Sequence, residues 1–185
     1  MYLTDEGKNV ETRQGHLDYL TLLLGEAGYS GAKSAADRVL SLETEIAKAH
    51  WDRTVGRNRS LTYNKMSRSE LIELGGAFPV ETMLSSLGLG DQLQFVVRQV
   101  TPDGAKIKDL GLSDEQVAKI SGGGIAGIMA LMARTELDDW KAYLSAHLLS
   151  DFASVLPAKI DRASFEFYSK QLRGQEKQRP RWKRA

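Results

Sequence analysis

Apolar residues that return every three or four positions, segment after segment, limit this chain more than any other feature of its sequence. Leu17, Leu20, Leu23, Leu24 and Ala27 fall on one face of a helix predicted over residues 5–27. Ala32, Ala35, Val39, Leu42, Ile46 and Ala49 draw a second stripe over 31–51, with Lys33, Asp37, Arg38, Glu45 and Lys48 on the wet side. The stretch from Gly25 to Gly31 turns the chain between them, so a helical hairpin is expected. Leu137, Trp140, Tyr143, Leu144, His147, Leu148, Phe152 and Val155 give a third helix over 135–155. Stripes of this kind bury against one another, so the expected fold is mainly α, a multi-helix assembly with at most one short β element. The 185 residues suffice for one core, and a single helical domain over 1–185 is expected, with 174–185 as a basic linker.

Local signals fill in the rest. Ser67-Arg68-Ser69-Glu70 has the form of a capping box, in which hydroxyl and carboxylate satisfy the free N–H groups of a helix start ahead of Leu71, Ile72 and Leu74. Pro79 opens another helix through Leu87, which Gly88 and Gly90 stop. Ser113 with Asp114 and Glu115 starts a helix to Ile120, and a further one covers 124–134. Pro157 restarts the path, with a helix over 160–172 ended by Gly174. Residues 52–66 lack an apolar period and read as a loop. Phe95, Val96, Val97 and Val100 make 92–100 the strand candidate, whose partner the sequence does not reveal.

Composition removes several functions. With no cysteine, disulfides, thiolate metal sites and a cysteine nucleophile are excluded. Twenty-five basic against 24 acidic residues give no general attraction to nucleic acid or anionic membrane. The apolar runs, such as Leu22–Leu24 and Ile125–Met132, fall far short of a membrane span, and Met1–Val10 is too polar for a secretory signal. No nucleic-acid partner and no membrane span are therefore expected.

Candidate chemistry is sparse. A common zinc peptidase needs His-Glu-x-x-His, two imidazoles one helical turn apart with a carboxylate to activate metal-bound water. His16, His50 and His147 are followed by Leu17, Trp51 and Leu148, so no such motif exists. His147 reads as a packed or hydrogen-bonded core residue, His16 and His50 as surface residues. Gly122-Gly123-Gly124 lacks the Gly-Lys-Ser/Thr ending of a phosphate loop and reads as a turn. Glu43 with Glu45, and Asp138 with Asp139, point in different directions on their helices and read as solvated or ion-paired residues. Arg173, Lys177, Arg179, Arg181, Lys183 and Arg184 with Trp182 have the makings of an RNA contact, but a terminal linker accounts for them. No catalytic, cofactor-binding or metal-binding residue is assigned.

Four blocks carry a resemblance. They are Leu42-Glu43-Thr44-Glu45-Ile46-Ala47-Lys48-Ala49, Tyr63-Asn64-Lys65-Met66-Ser67, Leu137-Asp138-Asp139-Trp140-Lys141-Ala142-Tyr143-Leu144, and Phe165-Glu166-Phe167-Tyr168 with Leu172-Arg173-Gly174 and Arg179-Pro180-Arg181-Trp182-Lys183-Arg184. In this order they resemble the N-terminal helical part of the neprilysin and endothelin-converting enzyme family of zinc metallopeptidases, and Ala185, where relatives with disulfides carry cysteine, is similar to bacterial members. The resemblance implies a lobe that encloses the cavity of a zinc metalloendopeptidase and limits substrate size, without catalysis of its own. It also implies zinc in the parent enzyme, the parent's catalytic lobe and peptide substrates as partners, and a place outside the cytoplasm. Exposed apolar surface on such a piece leads to an expectation of self-association. The alternative reading is a stand-alone helical interaction module without catalysis.

Overall fold

A computed structural model describes residues 1–120 and 123–183. The helices run α1 (Asn9–Glu26), α2 (Ala32–Ala49), α3 (Arg59–Thr62), α4 (Arg68–Gly75), α5 (Val80–Ser86), α6 (Gly104–Asp109), α7 (Asp114–Ile120), α8 (Gly124–Arg134), α9 (Leu137–Asp151) and α10 (Ala158–Ser164). Two short strands, β1 (Asn64–Ser67) and β2 (Gln94–Val97), complete a mainly α fold. The chain divides into two compact units, residues 1–44 with 136–185, and residues 45–135.

In the first unit, α1 supplies Tyr19, Leu20, Leu23 and Leu24 to a core that also takes Ala35, Ala36 and Val39 from α2 and Ala142 and Ala146 from α9. The alanines allow these helices to lie close together, and the large side chains of α1 fill the space. α10 starts at Pro157, whose fixed φ of −50° suits a helix entrance. It then widens into a π-helical turn over Phe165–Gln171, where the Leu172 amide donates to the Phe167 carbonyl five residues back at 3.1 Å. The wider turn places Phe167 in the core, stacked on Tyr19 at 5.6 Å. Gly174, at φ +71°, ends it, as the sequence predicts.

In the second unit, β1 and β2 pair antiparallel with Asn64 opposite Val97 and Ser67 opposite Gln94. The missing partner of the strand candidate thus begins in the last residues of 52–66, the segment read as a loop, and runs on to Ser67. That segment also holds a 3-10 turn at Val55–Arg57 and α3, whose start is capped by Asn58 accepting from the Ser60 amide at 3.0 Å. Elements of three or four residues are too short to show a period, and the sequence pattern missed them for that reason. It also missed α6, capped by the Asp103 carboxylate on the Lys106 amide at 2.8 Å. The capping box before α4 is present: the Glu70 amide donates to Ser67 Oγ at 3.3 Å, and the Ser67 amide to the Glu70 carboxylate at 2.6 Å. Leu71, Val80, Leu84 and Met129 form one apolar cluster of this unit, and Trp51, Val55, Leu61 and Ile120 another.

Within this unit Gln99 adopts φ +55°, the left-handed region that disfavours a side chain. Its side chain accepts from the Trp51 amide at 3.1 Å, and its carbonyl accepts from the Ile125 amide at 2.9 Å. Gly124, at φ +54°, lies so close to that carbonyl that a Cβ there would overlap it. Gly123 and Gly124 are therefore the tight entry to α8, while Gly122 lies outside the described residues, as do Arg184 and Ala185.

Leu23 is fully buried in the first core. Leu23→Ala is expected to lower stability by about 2–5 kcal/mol in denaturant titration, and Ser67→Ala by about 1 kcal/mol through loss of the cap.

Candidate functional site

A buried polar arrangement in the first unit gathers on Glu43. This residue lies in α2 one turn beyond Val39, in phase with the buried Ala36 and Val39, so its carboxylate enters the core and not solvent. His16 of α1 brings Nε2 to Glu43 Oε2 at 2.7 Å, and His147 of α9 brings Nε2 to Oε1 at 3.0 Å. The Tyr2 hydroxyl donates to Oε2 at 3.1 Å. One carboxylate, only 6% exposed, therefore joins α1, α2, α9 and the N-terminal segment.

The electrostatics follow from this geometry. Burial acts to raise the Glu43 pKa, but the hydrogen bonds from His147 and His16, the attraction of His16 and the Tyr2 hydroxyl outweigh it and hold it at about 2. Burial, with the neighbouring carboxylate, pushes the Tyr2 phenol up, so it stays a donor. His16 Nδ1 is buried without a hydrogen-bond partner. The His16 ring donates from Nε2 to the carboxylate and stacks on Phe167 at 5.1 Å. His147 tilts against Tyr143 at 4.2 Å with its side chain 40% exposed.

These positions revise the sequence reading at His16, expected at the surface but buried, while Glu43, expected to be solvated or ion-paired, is paired and buried. His147 is hydrogen-bonded as expected, and His50 is exposed with Nδ1 3.3 Å from Gln99 Oε1. Glu45 pairs with Lys48 at 2.7 Å, Asp138 with Lys141 at 3.0 Å and Asp139 with Arg38 at 2.6 Å, as ion-pair partners should. In the tail, Arg181 Nε donates to the buried Asp161 at 3.3 Å, and Trp182 is exposed. The signal that could have found the site is Glu43 itself, an acid at a core position of an amphipathic helix, which demands donors from neighbouring elements.

Cavities lie elsewhere. In the first unit a polar cleft of about 700 Å³ is lined by Ser150, Ser154, Asp161, Ser169 and Gln178. In the second an apolar groove of about 420 Å³ is lined by Leu71, Met83, Leu87, Phe95 and Ile125. Among the described residues no group of three His, Cys, Asp or Glu side chains is placed to hold a metal ion. His16, Glu43 and His147 do not fit zinc, because both Nε2 atoms face the carboxylate at hydrogen-bond distance.

The lowered Glu43 pKa has a definite sign. Ionised Glu43 favours the folded chain, so this stabilisation is present above about pH 4.5 and is lost as pH falls toward about 2. Acid unfolding of the wild type is expected to steepen in that window, read by circular dichroism. Glu43→Ala is expected to flatten that step and to cost on the order of 3 kcal/mol at neutral pH, because it strands the His16 and Tyr2 donors.

Comparison with known proteins places the chain. No curated protein matches it. Two solved structures do: the zinc metalloprotease Zmp1 of Mycobacterium tuberculosis in an open state by cryo-electron microscopy, and the same protein in a crystal with an inhibitor. The first is 26% identical at a TM-score of 0.75, covering 99% of this chain and 26% of that one. The second is 25% identical at the same TM-score, covering 99% and 25%. This chain thus spans about a quarter of the length of that protein. The family model for the N-terminal part of peptidase family M13 matches residues 1–185, from end to end. The chain belongs to peptidase family M13.

Proposed function

We propose that this chain is the helical, substrate-enclosing part of a neprilysin-like zinc metalloendopeptidase and does not cut peptides by itself. The observation that carries this reading is the match of the whole chain to the N-terminal part of the family, together with a share of only 26% of a zinc metalloprotease of the same fold. The residues agree with it. His-Glu-x-x-His is absent from the sequence, and the His16–Glu43–His147 grouping is spent on joining helices.

The part it plays is steric. A rigid wall of packed helices opposite a catalytic surface admits only peptides small and flexible enough to pass, and it keeps bulk water from the reacting bond. Zinc and its activated water are supplied by the remainder of the enzyme, which also supplies the groups that hold the peptide. The enzyme works outside the cytoplasm in this reading, as the family resemblance implies.

Residues 1–185, purified and incubated with zinc and fluorogenic peptides of graded length, are expected to give no hydrolysis above buffer. Zinc-dependent turnover by residues 1–185 alone would overturn the reading.

A further inference from the structure

α9 is apolar on two faces. Ala142, Ala146 and Leu149 lie together on one side, in or against the core of the first unit. Leu137, Leu144 and Leu148 lie on the other side, at 67%, 61% and 59% exposure, and Val155 follows at 73% in the turns that continue beyond Asp151. At about 100° per residue the two faces are nearly opposite, so no side chain of the second row contributes to the core. Isolated exposed leucines need no explanation, but a row of them along a single helix does.

The row has a definite spacing. Residues 137, 141, 144, 148, 151 and 155 are separated by alternating steps of four and three, the a/d pattern of a coiled-coil seam. Four of the six are apolar, and the other two are Lys141 and Asp151. The order of these six residues is self-complementary when reversed. About a two-fold axis beside Ala146, an antiparallel copy of α9 sets Leu144 against Leu148 and Lys141 against Asp151, each pairing occurring twice, while Leu137 meets the turn after Asp151 that carries Val155. A parallel copy would instead set Lys141 against Lys141 and Asp151 against Asp151. Lys141 pairs within its own helix with Asp138 at 3.0 Å, but its side chain remains 59% exposed and free to turn toward a partner.

We propose that this face of α9 pairs with the same face of a second copy of the chain, antiparallel and about a two-fold axis, with Lys141 and Asp151 fixing the direction. A self-complementary surface of this kind closes on itself and stops at the dimer. The 15 residues of α9 give a seam about 22 Å long at about 1.5 Å per residue, at the small end of specific interfaces, so weak, concentration-dependent association is expected.

Sedimentation velocity of residues 1–185 over a range of concentrations tests it. The mass should rise with concentration toward twice the 20.5 kDa of one chain and no further. Leu144→Asp with Leu148→Asp should leave a monomer at every concentration with an unchanged circular dichroism spectrum, since both side chains are exposed in the single chain. Lys141→Glu and Asp151→Lys should each weaken association at least about tenfold, and the two together should restore it, because the swapped charges again meet across the axis. A wild-type chain that stays monomeric throughout would overturn the proposal and assign the face to another occupant, such as polypeptide beyond residue 185. Dimers indifferent to the charge reversals, or unrescued by the double exchange, would overturn it as well, because another face or direction would then be in use.

Discussion

A carboxylate in an apolar core is tolerable only when donors surround it, and the first unit is organised around meeting that demand at Glu43. Three side chains from three separate stretches of sequence, Tyr2, His16 and His147, converge on its two oxygens. Apolar packing of Leu20, Leu23 and Val39 is strong but tolerant of small slips along a helix. Hydrogen bonds under 3.2 Å are not, and they fix the rotation of α1, α2 and α9 about their axes. The π-helical turn after α10 belongs to the same arrangement, since it delivers Phe167 to the ring of His16.

Long elements were legible in the sequence and short ones were not. α1, α2, α8 and α9 carry two or more turns of apolar period, and Ser67-Arg68-Ser69-Glu70 and Pro157 mark helix starts by local chemistry that acts without help from the rest of the fold. β1 and α3 have four residues each, too few for a period, and depend on partners far along the chain, such as Val97 for Asn64. The polar site was hidden for a different reason. Glu43 sits in the block Leu42–Ala49 that carries part of the family resemblance, yet beside Glu45 it read as one of two solvated or ion-paired acids. Only the phase of Val39 and Ala36 separates the buried acid from the half-exposed one.

α9 shows the converse case. Its Leu137, Leu144 and Leu148, with Val155 just beyond it, have the spacing of a buried stripe, and the structure buries the alanine side of the helix instead. Periodicity reports that a face is apolar, not what covers it. Membership of peptidase family M13, with a quarter of the length of Zmp1 represented, is consistent with a helical assembly whose surfaces serve further contacts.

The ionisation of Glu43 itself tests the central claim most directly. With carbon-13 in the glutamate side chains, the carboxyl resonance of Glu43 can be followed as pH is lowered while the chain remains folded. If the carboxylate holds α1, α2 and α9 together through His16 and His147, its resonance stays that of the ionised form well below pH 4.5 in the folded chain, moving toward a midpoint near 2. A midpoint at the ordinary value near 4.5, in a chain that remains folded, would show a solvated carboxylate and contradict the account.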